Sequence, residues 1–339
     1  MTRWLSSARR WPRSSGQRPW YGPPSIGSNG AKMTAAKRPI GYIGLGMMGG
    51  GMASHLVKSG YPITVYDPRE EAIEAVLEFG AERGASPSDV AARSEVVVSS
   101  LPNPTIVEAV ALGENGIIHG ARAGTVYIDM SSIEPVTTRR VGEALAARGV
   151  DMLDVPVGKG PPAAAKGDLT LMVGGDPAVV ERVADVLDTL GSRRFYCGPL
   201  GAGVTTKLVN NLVSTAICAL TGEAMAIGVA AGLDPEVMLA VMSNTAANSN
   251  HLGNAIKNRV LTGDFSPNFK LSLAHKDLGL ATALAGALGV PSLMGAAAYQ
   301  LHALALGAGL GDEDQSATIK VLEACTGMPA RAHGAKESV

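Results

Sequence analysis

The stretch that decides the fold is 39-PIGYIGLGMMGG-50, in which a short apolar run leads directly into a cluster of glycines. Glycine costs about 1 kcal/mol against alanine inside a helix, so such a cluster indicates a tight turn or a close approach of the backbone to another group. Three of the glycines form the pattern G-x-G-x-x-G between a predicted strand and a helix predicted over 46–58. In that pattern the first glycine makes the turn, the second admits a pyrophosphate, and the third lets helix and strand pack closely. The predicted cofactor-binding turn comprises Gly44, Leu45, Gly46, Met47, Met48 and Gly49.

An acidic residue follows the next predicted strand. Asp67 comes directly after the run ITVY, 23 residues beyond Gly44. A carboxylate at this place accepts hydrogen bonds from the adenine ribose hydroxyls and repels a 2′-phosphate, which predicts NAD as the cofactor. Arg69 lies close by and could hold a 2′-phosphate instead, so NADP stays an alternative.

The pattern of predicted elements changes once along the chain. Over residues 39–197, β-branched runs such as VVVSS and TVYID alternate with helical stretches, which is typical of a mostly parallel sheet with helices on both faces. Over residues 198–325 only helices are predicted, and a flexible tail is predicted over 326–339. The prediction is an α/β fold, a Rossmann doubly wound parallel sheet followed by an all-α C-terminal domain. The helices predicted in that second domain span 204–231, 251–261, 272–288, 291–307 and 313–323.

Composition narrows the possible partners. The 339 residues carry a net charge of −1, but residues 1–38 contain eight Lys or Arg and no acidic residue, which leaves 21 basic and 30 acidic residues for the remainder. A net-acidic folded region predicts no nucleic-acid partner. Gly, Lys or Asn interrupts every apolar run before it reaches the roughly 18 residues of a membrane span, so no membrane partner is predicted.

The basic N-terminal extension, residues 1–38, is rich in Arg, Ser, Pro and Gly and is predicted to be disordered. Residues 1–32 are interpreted either as a non-native start upstream of Met33 or as a mitochondrial transit peptide. The predicted location is therefore the cytoplasm, with the mitochondrial matrix as the alternative. Three widely separated cysteines predict a reducing compartment, and the six histidines show no metal-binding spacing, so no metal is expected.

A set of motifs extends over residues 39–325, and their order and spacing resemble those of the β-hydroxyacid dehydrogenases, the family of 3-hydroxyisobutyrate dehydrogenase. The resemblance implies a Rossmann domain, a helical domain and a nicotinamide cofactor. It implies oxidation of a hydroxyl group on a short carboxylic acid, or reduction of the corresponding aldehyde. It also implies a small anionic substrate, and pairing of the helical domains into a homodimer or homotetramer. The motifs are GYIGLGMMG, SSLPNP, IDMSSIEP, DVPVGKGPPAAAKGDLTLMVGG, GAGVTTKLVNN and NFKLSLAHKDLGLA.

By this resemblance, the motif TTKLVNN carries the chemistry. Lys207 matches the general acid/base of the family, and Asn211 matches the asparagine that orients the lysine and the substrate. Because the nicotinamide takes or gives the hydride, the protein has to supply only a proton carrier and an aligned substrate. A partly desolvated lysine titrates near neutral pH, and residues i and i+4 share a helix face, so both side chains suit these roles.

Further site residues are implied by the motif AHKDLGLA and by two turns. Lys276 and Asp277 match a lysine–aspartate pair of the family, in which the lysine lies near cofactor and substrate and the aspartate orients. The alternative is two independently solvated charges, because neighbours on a helix do not face each other. The turns follow predicted strands, where doubly wound folds bind ligands, although their two serines could instead cap the next helix. Leu101, Pro102 and Ser132 are expected at the cofactor, and Ser131 at the substrate.

The substrate loop departs from the family pattern D-x-P-V-S-G-G, whose serine and glycines hold the substrate carboxylate. Here Gly158, Lys159 and Gly160 replace that triplet, so backbone N–H groups and a lysine charge would hold the anion. A solvated Lys159 is the alternative. Sulfolactaldehyde reductases look similar because they have a basic residue here, although theirs is Arg followed by a hydroxyl residue. The predicted substrate is a C3–C4 hydroxy acid, a semialdehyde or a sulfonated analogue.

Two other classes of function fit the same architecture. An imine reductase commonly has Asp or Tyr in place of the lysine, and a non-catalytic NAD-binding scaffold would have lost it. The presence of Lys207 disfavours both.

Overall fold

The structure, a computed structural model, describes residues 37–333 and places nine strands of that range in one sheet. The strands are β1 (Ile40–Ile43), β2 (Ile63–Tyr66), β3 (Glu82–Arg83), β4 (Val96–Ser99), β5 (Val126–Asp129), β6 (Asp151–Asp154), β7 (Val157–Gly158), β8 (Leu169–Gly174) and β9 (Gly191–Gly198). Strands β3, β2, β1, β4, β5 and β6 lie side by side in this order and run parallel, which is the Rossmann arrangement. Strand β8 runs antiparallel to β6 and β7, and parallel to β9.

The carboxyl ends of the central strands line up at one edge of the sheet. Strand pairing places Ile43 beside Ser99, Ser99 beside Asp129, and Asp129 beside Asp154. The strands β1, β4 and β5 are buried along their whole length, as expected for parallel strands covered on both faces. The three polar residues at this edge are also fully buried. They mark the edge at which a doubly wound sheet binds its ligand.

Nine helices accompany the strands between residues 47 and 190. Proline occupies the first turn of five of them, where its missing N–H leaves no hydrogen bond unmade. The stretch 176–190 is two helices that meet at Val183, where the backbone leaves helical geometry. The helices are α1 (Met47–Lys58), α2 (Glu70–Leu77), α3 (Pro87–Ala92), α4 (Pro104–Leu112), α5 (Ile117–Gly120), α6 (Pro135–Ala146), α7 (Pro161–Ala164), α8 (Pro177–Arg182) and α9 (Ala184–Leu190).

Five elements of this half lie outside the elements predicted from the sequence, namely β3, α5, β7, α7 and β9. Four of them have two to four residues, too few to show a periodic pattern. Strand β9 is longer, but its sequence GSRRFYCG mixes polar residues, aromatic residues and glycine, and it is partly exposed. It lacks the apolar alternation from which a strand is predicted, and only its pairing with β8 makes it one.

The second half is helical from residue 202 onward. Helix α10 packs against α12, α13 and α14, and a cluster around Met225, Ile256 and Ile319 forms the core. The predicted fold class, a Rossmann sheet followed by an all-α domain, is confirmed. Its elements are α10 (Ala202–Ala230), α11 (Pro235–Ser243), a π-helical segment (Leu252–Val260), α12 (Leu271–Ala287), α13 (Leu293–Gly307), a 3₁₀ segment (Gln315–Thr318) and α14 (Ile319–Thr326).

Helix α10 is long and apolar enough to cross a membrane, judged by length and composition alone. Its most apolar 18-residue window has a mean hydropathy of 1.7, and 44% of that window is buried in the protein. The sequence analysis counted only uninterrupted apolar runs and so did not single out this helix, whereas an average over 18 residues tolerates isolated Gly and polar residues. The contacts of α10 with α12, α13 and α14 give the helix a role in the protein core. The absence of a membrane partner stays a prediction.

The two predicted terminal segments, residues 1–38 and 326–339, are described only in part. The predicted N-terminal extension, residues 1–38, lies outside the described residues except for its last two, as do residues 334–339. The described part of the predicted flexible tail packs on the helical half. Arg331 Nη1 donates to Glu323 Oε1 at 2.8 Å, and this glutamate is itself buried.

Candidate active site

The glycine turn has the geometry that a pyrophosphate site requires. Gly44 has a φ of +90°, and a side chain there would collide with the carbonyl oxygen of Ser100. A Cβ on Gly49 would collide with the carbonyl group of Gly44, so α1 and β1 touch through bare backbone. A Cβ on Gly46 meets nothing within 4 Å, so the start of α1 is open. The residues present therefore fit a dinucleotide, whose pyrophosphate would face the first N–H groups of α1.

Asp67 is buried at the end of β2, and both of its carboxylate oxygens accept hydrogen bonds. Leu45 N donates to Oδ2 at 2.7 Å, and Arg69 donates through Nε at 2.9 Å and through Nη2 at 3.0 Å. Burial by itself raises the pKa of Asp67, but the hydrogen bonds from Arg69 and Leu45 outweigh burial and hold that pKa below its usual value. A cofactor ribose can therefore hydrogen-bond to Asp67 only if the exposed Arg69 side chain moves away from the carboxylate. Leu45, predicted at the cofactor, buries its side chain in the core and contributes only its N–H.

A cleft of about 1240 Å³ lies between the carboxyl edge of the sheet and the helical half. Pockets for one small molecule measure about 300–1,000 Å³, so this cleft has room for a dinucleotide beside a substrate. Every predicted site residue except Leu45 lines it. Those residues are Gly44, Gly46, Met47, Met48, Gly49, Asp67, Leu101, Pro102, Ser131, Ser132, Gly158, Lys159, Gly160, Lys207, Asn211, Lys276 and Asp277.

The turn after β5 is held by a buried carboxylate. The hydroxyl of Ser131 donates to Asp129 Oδ1 at 2.5 Å and accepts from Leu101 N at 2.9 Å. Burial raises the pKa of Asp129, and the hydrogen bonds from Ser131 and Ser99 oppose that rise. Ser131 was predicted to bind substrate, but its hydroxyl is committed to these two partners and is buried. It joins the turns after β4 and β5, which carry Leu101 and Ser132 into the cleft.

Lys207 lies in the second turn of α10 and points its side chain into the cleft. It forms no hydrogen bond or ion pair with any residue between 37 and 333, although it is half-buried. Burial lowers the pKa of Lys207. Asp277 opposes this effect with its negative charge, and Lys276 adds to it with its positive charge. A lysine with a lowered pKa exchanges a proton more readily near neutral pH.

Lys276 and Asp277 do face each other, so the alternative of two independently solvated charges is wrong. Lys276 Nζ lies 3.1 Å from Asp277 Oδ1 and donates to the carbonyl oxygens of Ser132 at 2.7 Å and Pro102 at 3.3 Å. The amide of Asn211 donates to Asp277 Oδ2 at 2.6 Å. Asp277 thus ties the face of α10 that carries Asn211 to α12, and Lys276 ties α12 to the turns of the Rossmann half.

Lys159 stands in the substrate loop with a φ of +73°, a left-handed conformation that no other non-glycine residue of the described range adopts. Its ammonium lies 2.7 Å from Asp168 Oδ2, and its side chain is exposed. The hydrogen bonds from Lys159 and Ser192 lower the pKa of Asp168. The Lys159 charge predicted to hold the substrate anion therefore lies in a surface ion pair at the mouth of the cleft, and its role in anion binding stays a prediction.

The structure adds cleft residues that the sequence did not single out. Asn268 lies directly over the substrate loop, since a Cβ on Gly160 would be 2.8 Å from its Oδ1. Asn254 and Arg259 of the π-helical segment also line the cleft. Asn268 belongs to the motif NFKLSLAHKDLGLA, which could have drawn attention to it. No sequence feature indicated that residues of the π-helical segment line the cleft, because a π-helix has no distinctive sequence period.

Away from the cleft, Asp234, Glu236 and His333 bring three possible metal-ligand atoms within 4.8 Å of one another. His333 Nε2 lies 2.7 Å from Asp234 Oδ2, and the cluster is largely exposed. The histidine and the acidic residues are about a hundred positions apart, so the sequence could not pair them. The expectation that the protein has no metal stays a prediction.

The Rossmann sheet, its open glycine turn and the lysine-bearing cleft define a nicotinamide-dependent oxidoreductase. A family model described as the NAD binding domain of 6-phosphogluconate dehydrogenase matches residues 39–198. A second, described as NAD-binding of NADP-dependent 3-hydroxyisobutyrate dehydrogenase, matches residues 201–322.

Full-length relatives agree with these matches. A 3-sulfolactaldehyde reductase from Escherichia coli (strain K12) is 39% identical over 86% of this chain and 98% of its own length. A 2-(hydroxymethyl)glutarate dehydrogenase from Eubacterium barkeri is 39% identical over 85% of this chain and 96% of its own. The crystal structure of a 3-hydroxyisobutyrate dehydrogenase from Salmonella typhimurium, 32% identical, superposes with a TM-score of 0.77 and covers 84% of this chain and 100% of its own.

The chain belongs to the β-hydroxyacid dehydrogenase family, of the 3-hydroxyisobutyrate dehydrogenase type. It is an NAD(P)-dependent 3-hydroxyacid dehydrogenase or semialdehyde reductase. The predicted family, class of enzyme and class of cofactor are confirmed.

Proposed function

We propose that this enzyme transfers a hydride between a nicotinamide cofactor and a short anionic 3-hydroxy acid or its semialdehyde, with Lys207 as the general acid/base. The observation that carries the proposal is the Lys207 ammonium in the cleft, which has no partner among residues 37–333 and lies beside the Asn211–Asp277–Lys276 network. A bound nicotinamide supplies the hydride acceptor or donor. In the oxidation direction neutral Lys207 takes the hydroxyl proton, and in the reduction direction its ammonium returns a proton to the carbonyl oxygen.

Asn211 has a supporting role in this proposal. Its amide nitrogen is held by Asp277, while its amide oxygen accepts from Asn210 Nδ2 at 3.1 Å. A side chain held at both ends keeps one rotamer, which is the property needed to orient a small substrate beside Lys207.

Two observations favour a sulfonated or larger anionic aldehyde as a second candidate substrate. The substrate loop has Lys159 where the family pattern has glycine, and Asn268 lies over the same loop. Two of the relatives at 39% identity are named for 3-sulfolactaldehyde and for 2-(hydroxymethyl)glutarate, both of which carry an anionic group beyond the reacting carbon. We therefore keep sulfolactaldehyde reductase as the alternative function.

NAD is the proposed cofactor because Asp67 is buried, negatively charged and at the end of β2. A 2′-phosphate would have to lie against this carboxylate. Arg69 is already hydrogen-bonded to Asp67, so only part of its charge is available to a phosphate.

A homo-oligomer is also proposed, with α10 at the contact. This helix exposes large apolar side chains spaced four or seven residues apart, which place them along one face. A second copy of the chain would cover that face. Light scattering of the purified protein should give twice or four times the 34.7 kDa chain mass, and a monomer at micromolar concentration would contradict this. The side chains are Val209, Val213, Leu220 and Ile227.

The assay is absorbance at 340 nm with NAD(H) and with NADP(H). The compounds are 3-hydroxyisobutyrate, 2-(hydroxymethyl)glutarate and 3-sulfolactaldehyde. We expect turnover with at least one compound and a higher kcat/KM with the NAD form. We expect Lys207→Ala to lose at least 10²-fold in kcat while still binding NADH, since a positioned proton carrier contributes about 10²–10⁴-fold. Full turnover by that variant would refute the role of Lys207.

A further inference from the structure

The first turn of α10 is held by a residue from outside the helix. Gly201, which precedes the helix with a φ of +90°, has no side chain that could cap it. The N–H groups of Gly201 and Val204 donate instead to Asp154, at 2.8 Å to Oδ1 and 2.7 Å to Oδ2. Asp154 is the last residue of β6 and is fully buried. One carboxylate from the sheet therefore satisfies two of the donors that a helix N-terminus leaves free.

The backbone packs closely around this carboxylate. A Cβ on Gly203 would lie 2.5 Å from the carbonyl oxygen of Asp154, and a Cβ on Gly174 would lie 2.7 Å from Gly203 N. Contacts this short are not found for real Cβ atoms, so α10 meets the ends of β6 and β8 through bare backbone. The joint between the two halves of the enzyme is accordingly rigid at this point.

We propose that Asp154 is a positioning residue of the enzyme, which fixes the first turn of α10 against the sheet and so determines where the Lys207 ammonium meets the substrate. This inference rests on the role proposed above for Lys207. That residue follows Val204 by three positions, about 4.5 Å along the helix axis. Asp154 also directly precedes the segment 155–160 that forms the substrate loop. The same carboxylate therefore fixes the start of α10 and the start of the substrate loop relative to each other.

Misplacement of a reacting group by about 1 Å can cost 10²-fold in rate. Loss of the Asp154 contact frees the end of α10 that carries Lys207, while the glycine turn at β1 and its cofactor contacts lie at another part of the sheet. The inference therefore separates two properties: kcat depends on Asp154, and cofactor binding does not.

The charge of Asp154 provides a second test. The ionisable groups around it are Asp129 on β5, Cys197 on β9 and Arg139, whose guanidinium reaches Gly201 from α6. Burial raises the pKa of Asp154 to about 6, with the two helix N–H groups opposing and Asp129 adding to the rise. An ionised carboxylate accepts both N–H groups, whereas the protonated form loses one acceptor oxygen. The hold on α10 should therefore weaken as pH falls through about 6.

The experiment compares Asp154→Asn with Asp176→Asn in the full-length enzyme. Asp176 caps the short helix α8 in the same chemical way, accepting from Ala178 N at 2.8 Å, and lies outside the cleft. Reduction of the best compound of the panel is measured at pH 7.5, with NADH binding followed by fluorescence. We expect Asp154→Asn to lose at least tenfold in kcat with the NADH dissociation constant changed less than twofold, and Asp176→Asn to keep its kcat. Retained kcat in Asp154→Asn, or an equal loss in the control, would overturn the inference.

The pH dependence distinguishes positioning from a general loss of stability. In the reduction direction Lys207 must carry its proton, so its titration shapes only the alkaline side of the profile. We expect the acid side of the wild-type kcat profile to fall with an apparent pKa near 6, and this fall to be absent in Asp154→Asn. A wild-type kcat that does not fall on the acid side would overturn the inference. The same acid-side fall in wild type and Asp154→Asn would also overturn it.

If Asp154→Asn does not fold, hydrogen–deuterium exchange on the unaltered enzyme gives the answer. The peptide that covers residues 201–208 should lose protection between pH 7 and pH 5, after correction for intrinsic exchange, whereas the peptide that covers α1 should not. Equal behaviour of the two peptides would overturn the inference. Turnover by Lys207→Ala would instead refute the proposed function, so the two failures are distinguishable.

Discussion

Replacing Gly46 and Gly49 by alanine, one at a time, should separate cofactor binding from folding. At Gly46 the backbone has φ −66° and ψ −171°, angles that alanine accepts, and an added methyl group meets nothing within 4 Å. We expect the free energy of unfolding of Gly46→Ala to change by less than about 1 kcal/mol. The same methyl group would occupy the surface against which a pyrophosphate packs. We therefore expect the NADH dissociation constant to rise at least tenfold, which corresponds to about 1.4 kcal/mol.

Gly49 should give the opposite result. A Cβ there would collide with the carbonyl oxygen of Gly44 and would lie 3.0 Å from the carbonyl carbon. Backbone cannot yield as the end of a side chain can, and forced packing of this kind costs about 1–3 kcal/mol. With an unfolding entropy of about 2.1 cal/mol/K per residue, a chain of 339 residues loses roughly 1–2 °C in Tm per kcal/mol. We expect Gly49→Ala to unfold about 1–4 °C below the wild type.

Differential scanning fluorimetry without ligand and NADH fluorescence titration measure the two effects independently. Wild-type affinity for NADH in Gly46→Ala would refute the close approach of the backbone to the pyrophosphate. An unchanged Tm in Gly49→Ala would refute the bare-backbone contact between α1 and β1.

Three further substitutions test the electrostatics of the site. Asp277→Asn removes the negative charge that opposes the lowering of the Lys207 pKa, so the pKa of Lys207 should fall further. The acid limb of the pH profile of kcat for oxidation should then move to lower pH by about one unit. A shift to higher pH would contradict the effect of Asp277 on Lys207. Asp67→Asn should raise kcat/KM with NADPH relative to NADH at least tenfold, because Arg69 is released and the repulsion of a 2′-phosphate is removed; an unchanged ratio in the 340 nm assay would show that Asp67 does not select the cofactor. Lys159→Ala should raise KM for an anionic substrate about tenfold with kcat nearly unchanged, and steady-state kinetics with unaltered KM would make Lys159 a surface residue.

Residues of one local segment were predictable because their geometry depends on near neighbours in the chain. The spacing of Gly44, Gly46 and Gly49 is sufficient to predict the turn, since each glycine acts within six positions of the first. The long helix of the second half was predictable for the same reason, and its observed bounds differ from the predicted ones by two residues at the start and one at the end. Every site residue predicted from the sequence lines the cleft, with Leu45 as the exception.

Contacts between distant segments were not predictable, and they changed the interpretation of several side chains. The sequence suggests that the Lys159 charge and the Ser131 hydroxyl are both available to substrate. Asp168 reaches Lys159 because β7 and β8 pair, and Leu101 N reaches the Ser131 hydroxyl because β4 and β5 lie side by side.

The sequence by itself determined the class of fold, the glycine turn, the family and the position of the lysine that we propose as the general acid/base. Each of these follows from residue types at short, fixed spacings. Only the tertiary structure decided which charges are neutralised, which hydroxyls are already used, and that Asp154 holds a helix that begins 48 residues further along the chain. Hydrogen bonds and ion pairs act over about 3 Å in space, and folding, not position in the chain, brings those atoms together.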